Sequence, residues 1–359
     1  MLIHGIKEKS IFTLASLKLI HTYLKWKGIL KTISIDHFIA HCDFSMDTIA
    51  RNVILEKYGT KTYYYMDSAS FGCFHAREGG KPKIRSLIGF IYYDYFVSWS
   101  QRVSEYFKQS HCQIKNYVDV GCLWAEHIRL FQEGTIATSF KKDLYAKGYK
   151  DDLKLIAAFD SSYLEGTGSN YDEAIRFLKD MLRLLDEDPN IFIVLKEKKS
   201  RDPIKQRTHQ WRDVVAAYEK FENHPRAVCL QHKCNASEII ACSDLILTVP
   251  FSTPTFEALA ARKRAIWHDA NNKYRGVYFD RVEGLVTHGY EELKERIHQL
   301  LYSLSQEEYD HYLDHSIKGT VESYLDGKAI TRFRNLFNDS SQKINSKISQ
   351  VNTKSPGYV

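Results

Sequence analysis

The sequence predicts an α/β protein of two domains, each built on a parallel sheet, with the N-terminal domain the smaller. Three observations predict it. The chain has 359 residues, more than one hydrophobic core normally serves, so two domains are expected. Short apolar runs alternate with helix-spaced segments, the signature of strands crossing over through helices. The alternation is most regular after Leu153, which sets the expected domains at 1–150 and 151–337. A Ser/Lys/Asn-rich tail, 338–359, is expected to be disordered.

In the first half, Ile35 to Ala40 reads as a buried strand and Asp47 to Gly59 as a helix with an acidic first turn and a terminal glycine. Thr60 to Met66 reads as the second strand. Ser68 to Lys83 is basic and glycine-containing, a long loop at a strand end, where function often sits. Tyr95 to Ser100 is a third strand, Gln101 to Gln109 a helix and Tyr117 to Gly121 a fourth strand. Beyond Phe131 the pattern weakens, and Phe140 to Asp152 reads as a charged boundary.

In the second half, the expected strands are Leu153 to Phe159, Ile191 to Leu195, Ala227 to Gln231, Leu245 to Val249 and Ala265 to His268. The helices between them are Tyr171 to Leu185, Gln210 to Phe221, Ala236 to Cys242 and Thr255 to Ala261. Glu291 to Leu301 and Gln306 to Tyr312 close the domain. In such a doubly wound sheet, ligands bind at the carboxyl ends of the strands. The loops after Phe159, Leu195, Val249 and His268 are therefore expected at one cleft.

Composition narrows the function. A formal charge of +6 suits an anionic substrate or membrane surface and is too small to indicate nucleic acid. The seven cysteines are scattered without a CxxC pair, so neither a disulfide framework nor a zinc ribbon is expected, and a reducing cytoplasm is. No apolar run is long enough to span a membrane, and no cleavable signal is read at the N-terminus. Ile11 to Lys27 has helical spacing with lysines and a tryptophan; packing on its own domain is favoured over lying on an anionic bilayer.

Ser243 to Ala258 is the most informative stretch. A strand runs into Pro250-Phe251, Ser252 and Thr253 follow, and a helix carrying Thr255 and Glu257 opens. Hydroxyls and unpaired N–H groups at a helix N-terminus make a phosphate cradle that needs no lysine, although serine and threonine are also the common caps. Lys273 and Arg275, after the Ala265 strand, are candidates to neutralise a phosphate or a sugar carboxylate. Lys196, Glu197 and Lys198 end another strand at the same edge, suited to a nucleotide phosphate or to orienting a donor. Asp160 and Ser161 end the first strand of the domain; Asp160 suits a nucleophile or base, or a loop cap. Asp43, Ser45 and Arg51, with Asp67, Ser68 and His75, crowd the N-terminal strand ends and are the expected acceptor side. Tyr63 to Tyr65 and Tyr92-Tyr93 read as core before sugar-stacking platform.

Taken together, Phe159-Asp160-Ser161-Ser162, Val194 to Lys198, Ser243 to Ile246, Pro250 to Ala258 and Tyr274-Arg275-Gly276 resemble bacterial surface-polysaccharide glycosyltransferases of GT-B fold. The layout is similar to CMP-sugar transferases of the Kdo and sialic acid type, in which a Ser/Thr pair binds the CMP phosphate. Glycerophosphotransferases of teichoic acid synthesis share it. The resemblance implies two Rossmann-like domains facing a cleft. It also implies a metal- and cofactor-free, cytoplasmic transfer of a sugar, CMP-Kdo-like by preference, from a nucleotide donor to a growing surface polysaccharide or lipopolysaccharide. In that scheme Ser252, Thr253 and Lys196 hold phosphate, Glu257 the ribose and Arg275 the donor carboxylate or phosphate; Asp160 and Glu197 are the catalytic candidates. Peripheral contact with the inner membrane is expected, and nucleic acid is not. One departure stands out: such CMP-sugar transferases carry His-Pro after the strand that here ends in Lys196-Glu197, whereas His224-Pro225 precedes the next strand. The alternatives on this scaffold are a nucleotide-sugar epimerase, a polyol-phosphate transferase, or a non-catalytic glycan-binding relative.

Overall fold

The computed structural model describes residues 11–41, 43, 45–66, 86–161, 170–199 and 209–338. Two compact units form. Of the described residues, the first takes those up to Met66, those from 86 to Val120 and those from Lys328 on; the second takes Gly121 to Gly327. The boundary thus falls at Val120 instead of near 150, and the chain returns to the first unit at its end.

The first unit carries a four-stranded parallel sheet, β1 His37–Ala40, β2 Lys61–Tyr65, β3 Tyr92–Ser98 and β4 Gln113–Asp119, in the order β1-β2-β3-β4. Its inner strands are aromatic: Tyr63, Tyr64, Tyr93 and Phe96 are buried, and Tyr63 stacks on Tyr95 with ring centroids 4.9 Å apart. These tyrosines are core. The helix Ile11–Leu30 lays Tyr23, Trp26 and Leu30 against Ile54 and Leu55 of the helix Met46–Lys57, the self-packing that the spacing favours. A helix over 329–338 belongs to the same unit.

The second unit carries six parallel strands: β5 Lys154–Phe159, β6 Ile191–Lys196, β7 Ala227–Leu230, β8 Leu245–Thr248, β9 Ala265–Asp269 and β10 Val286–His288. Their order is β10-β9-β8-β5-β6-β7. Every residue of β8 and β9, and all but one in each of β5 and β6, is buried, as in a sheet covered on both faces. From β5 the chain builds outward through β6 and β7. It then crosses back to β8 on the other side of β5 and continues through β9 to β10. The reversal therefore lies between β5 and β8, where Phe159 pairs with Thr248.

Several elements depart from expectation. Trp124–Gln132 is a helix, Phe140–Tyr145 is helical where a boundary was expected, and β10 adds a three-residue edge strand. Among the described residues no helix is long and apolar enough to cross a membrane.

Candidate functional site

Because all six strands of the second unit run the same way, their carboxyl ends share one edge. In open α/β sheets the crevice where strand order reverses is the ligand site, and here that position lies between Asp160, after β5, and the Val249–Thr253 turn, after β8. The turn is built by Phe251. Its backbone is left-handed, at φ 62°, a conformation that costs a bulky residue and persists where packing over-determines it. The packing is evident: the ring is fully buried and meets Trp267, Tyr274 and Phe279 at centroid distances of 5.1–6.0 Å. Phe251, expected with Pro250, Ser252 and Thr253 among the donor-binding residues, is instead a buried anchor of the turn and is not open to a nucleotide.

With Phe251 pinned, Ser252 becomes the N-cap of the helix Thr253–Ala260, with Pro254 in its first turn. The Ser252 hydroxyl makes no capping bond, so neither it nor the helix amides are spent on each other. Its carbonyl accepts from the Trp267 indole at 3.3 Å, which fixes the turn against β9. Ser252, Thr253 and Pro250 all keep partial exposure. Thr255 does not. It is fully buried, bonded to Thr248 Oγ1 at 2.8 Å and to the Ile266 carbonyl at 3.3 Å, and it holds helix to sheet instead of binding a ligand.

Glu257, one turn into this helix, is surrounded by protein yet keeps partial exposure. Burial raises its pKa to about 7, against the opposing field of Lys196. Lys196 ends β6; its ammonium donates to the carbonyls of His232 at 3.0 Å and Glu197 at 3.2 Å. Burial lowers its pKa, and Asp160 leads the charges that oppose the shift. Lys196 therefore acts electrostatically on carboxylates from both sides of the strand reversal.

Asp160 is 7% exposed. One oxygen accepts from the Tyr218 hydroxyl at 2.7 Å and the other from the Lys198 amide. Burial raises its pKa to about 7 despite both bonds. Lys198 thus contributes its backbone here, Ser161 remains partly exposed beside Asp160, and Glu197 is buried behind it and adds to the upward push.

Lys273 and Arg275 are engaged elsewhere. Lys273 pairs with Glu173 at 2.9 Å, and Glu173 also closes the capping box of the helix Tyr171–Glu187. Arg275 is exposed and pairs with Glu292 at 2.7 Å, so neither stands open as an anion receptor. In the first unit, Arg51 pairs with Asp43 and donates to the Tyr93 hydroxyl at 2.7 Å, while that hydroxyl bonds Asp43. Ser45 is the N-cap of the helix Met46–Lys57 and makes no side-chain capping bond. Asp67, Ser68 and His75 lie outside the described residues.

The sequence reading missed a polar cluster at the ends of β9 and β10. Asp269 is 2% exposed and accepts from the amides of Lys273 and Tyr274, at 3.0 and 2.7 Å. His288 bridges Asp269 at 2.9 Å and Asp280 at 2.6 Å. Burial pushes the His288 pKa down, but the two carboxylates outweigh it and hold the ring above its ordinary value. His268, behind them, bonds Asp180 and Thr287 at 2.8 and 3.1 Å. Among the described residues no group of three or more His, Cys, Asp or Glu side chains is placed to hold a metal ion.

A second buried carboxylate lies within the field of Glu257. Glu322 is fully buried, and neither of its carboxyl oxygens has a hydrogen-bond partner. Burial, and then the charge of Glu257, push its pKa well above the carboxylate range.

A family model described as polysaccharide biosynthesis PFTS motif protein matches residues 7–297. The chain belongs to this family. Pro250-Phe251-Ser252-Thr253 holds the four residues of the PFTS name with the two hydroxyl residues exchanged. Solved structures place this PFTS family member among GT-B proteins. The S. aureus MnaA–UDP complex is similar at a TM-score of 0.55 and 15% identity, covering 89% of this chain and 80% of that one. The wall teichoic acid polymerase TagF (H548A) is similar at 0.54 and 13%, covering 86% and 74%. UDP-GlcNAc 2-epimerase from Neisseria meningitidis bound to UDP-GlcNAc is similar at 0.55 and 12%, covering 89% and 81%. At these identities the likeness is one of fold, and the fold is GT-B, with two Rossmann-like domains. No curated protein sequence matches this chain.

Proposed function

We propose that this PFTS family member is a glycosyltransferase that moves a sugar from a nucleotide donor to a growing cell-surface polysaccharide, at the cytoplasmic face of the inner membrane and without a metal. The observation that carries this reading is the Pro250–Thr253 turn, which opens a helix at the strand reversal with its Ser252 hydroxyl unspent. The Ser252 hydroxyl and the positive end of the helix there suit a donor phosphate. Glu257, one turn on, is suited to accept from ribose hydroxyls, and Lys196 supplies the compensating positive field. Asp160 is the proposed base: a carboxyl with a pKa near 7 is matched to proton transfer at neutral pH, and each of its oxygens has a second lone pair to offer. Glu197 forms part of its electrostatic setting. The Asp43–Arg51–Tyr93 network and Ser45 are the proposed acceptor side.

A Kdo-like CMP donor belongs to this reading through the Ser252-Thr253 pair. Arg275, the cation expected for the sugar's carboxylate, is engaged by Glu292, so the donor is the part to test first. Thermal shift with CMP-, UDP- and GDP-linked sugars is expected to show stabilisation by one nucleotide class. A UDP or GDP preference removes the Kdo-like donor. Ser252→Ala/Thr253→Ala should weaken binding of that nucleotide about 10- to 100-fold, the loss of one or two charge-assisted hydrogen bonds. Unchanged affinity in the double variant would end the reading. A labelled sugar that stays on its nucleotide after turnover would identify an epimerase instead.

A further inference from the structure

The helix Ile11–Leu30 carries apolar residues on two sides, yet only one of them is packed. An apolar stripe on a helix is expected to be covered. Tyr23, Trp26 and Leu30 turn toward the helix Met46–Lys57. On the opposite side, Leu14 is 54% exposed, Ile20 48% and Leu24 59%. At 3.6 residues per turn these three, with the half-buried Leu17, fall within an arc of about 120° facing away from the packed side.

The rim of that strip is cationic. Lys18 and Lys25 lie along one border, Lys27 along the other, and Lys31 follows the last turn, all exposed. No acidic residue occurs between positions 11 and 35. Lys18 is paired with Asp47 at 3.0 Å, while no ion pair engages Lys25, Lys27 or Lys31 among the described residues. An apolar strip with lysine borders, on a helix that cannot cross a bilayer, matches an anionic lipid interface: the leucines enter the acyl boundary and the lysines meet the headgroups.

We propose that this face of the first unit docks on an anionic lipid bilayer, with the helix lying in the plane of the interface. The choice of a membrane as occupant rests on the reading above only through the proposed place at the inner membrane; the charge pattern stands apart from nucleotide chemistry.

Full-length protein is mixed with vesicles of phosphatidylcholine alone, or of phosphatidylcholine with an equal part of phosphatidylglycerol, and sedimented without nucleotide. Binding is expected on the anionic vesicles only, and weakened by salt. Lys25→Gln/Lys27→Gln/Lys31→Gln should lower it roughly a hundredfold, each lysine near such a surface contributing about a factor of five. Leu14→Ser/Ile20→Ser/Leu24→Ser should abolish it; the lysine variant, changed only at exposed positions, keeps the test alive if the serine variant fails to fold. Three results overturn the proposal: equal binding to both vesicles, no binding of the wild type, or a dimer in solution that the serine variant turns to monomer. Nucleotide affinity measured on the same samples reports separately on the transferase reading.

Discussion

At the scale of single residues, Asp160 and Glu322 show two consequences of burying a carboxyl. Asp160 is held by Tyr218 and the Lys198 amide and still titrates near 7 because burial opposes its charge. If it is the base, turnover should rise as pH passes through about 7 and level off above it, because the ionised form accepts the proton. Asp160→Asn should lower kcat about 100- to 10,000-fold, a typical loss for a general base, and leave nucleotide affinity near the wild-type value. An unchanged pH profile in an active Asn variant would exclude the role. The same titration has a stability cost of opposite sense. A carboxyl whose folded pKa is raised favours folding while protonated, and that contribution is lost as pH climbs from the ordinary carboxylate range to about 7.

Glu322 differs in that neither carboxyl oxygen has a hydrogen-bond partner among the described residues. An unsatisfied buried polar group costs about 1–3 kcal/mol, and replacing it with an apolar group of similar size removes that cost. Glu322→Leu is therefore expected to raise the unfolding midpoint by a few degrees, read by calorimetry at neutral pH. A lower midpoint would mean that the carboxyl makes an interaction this structure does not have.

At the scale of elements, legibility followed period and length. The apolar runs of β5, β6, β8 and β9 are four to six residues bounded by turn signals, and the helix Tyr171–Glu187 opens on an Asn170–Glu173 capping box and carries a strong apolar stripe. Local chemistry alone specifies these. Trp124–Gln132 was missed because its stripe is short and its N-cap, Leu123, makes no side-chain capping bond. β10 was missed because three residues cannot show a period; its place is set by pairing with β9. The candidate site divides the same way. The Ser252-Thr253 turn was visible as hydroxyls between a strand and a helix. The burial of Thr255, the engagement of Lys273 by Glu173 and the bridge from Asp269 to His288 depend on partners 11 to 100 residues away. No local pattern carries such distances.

At the scale of the whole molecule, the same limit explains the misplaced boundary. The chain leaves the first unit after Val120 and re-enters it at Lys328, so its final described helix packs on a sheet laid down more than 200 residues earlier. Phe337 meets His37 and Tyr63, each at 5.1 Å, and Phe333 meets Tyr65 at 5.8 Å. Arg332 donates to the Val120 carbonyl at 2.8 Å, which ties the returning helix to the point of exit. The two rings are half-buried, so truncating both should cost less than a pair of full core deletions, about 2–4 kcal/mol in all. That loss belongs to the first unit alone. Phe333→Ala/Phe337→Ala should therefore move the unfolding of the first unit to lower temperature, followed by hydrogen exchange of β2 and β3 amides, while amides of β5 and β6 keep their protection. Equal loss of protection in both sets, or none in either, would show that the helix does not stabilise the first unit in the way its ring contacts indicate.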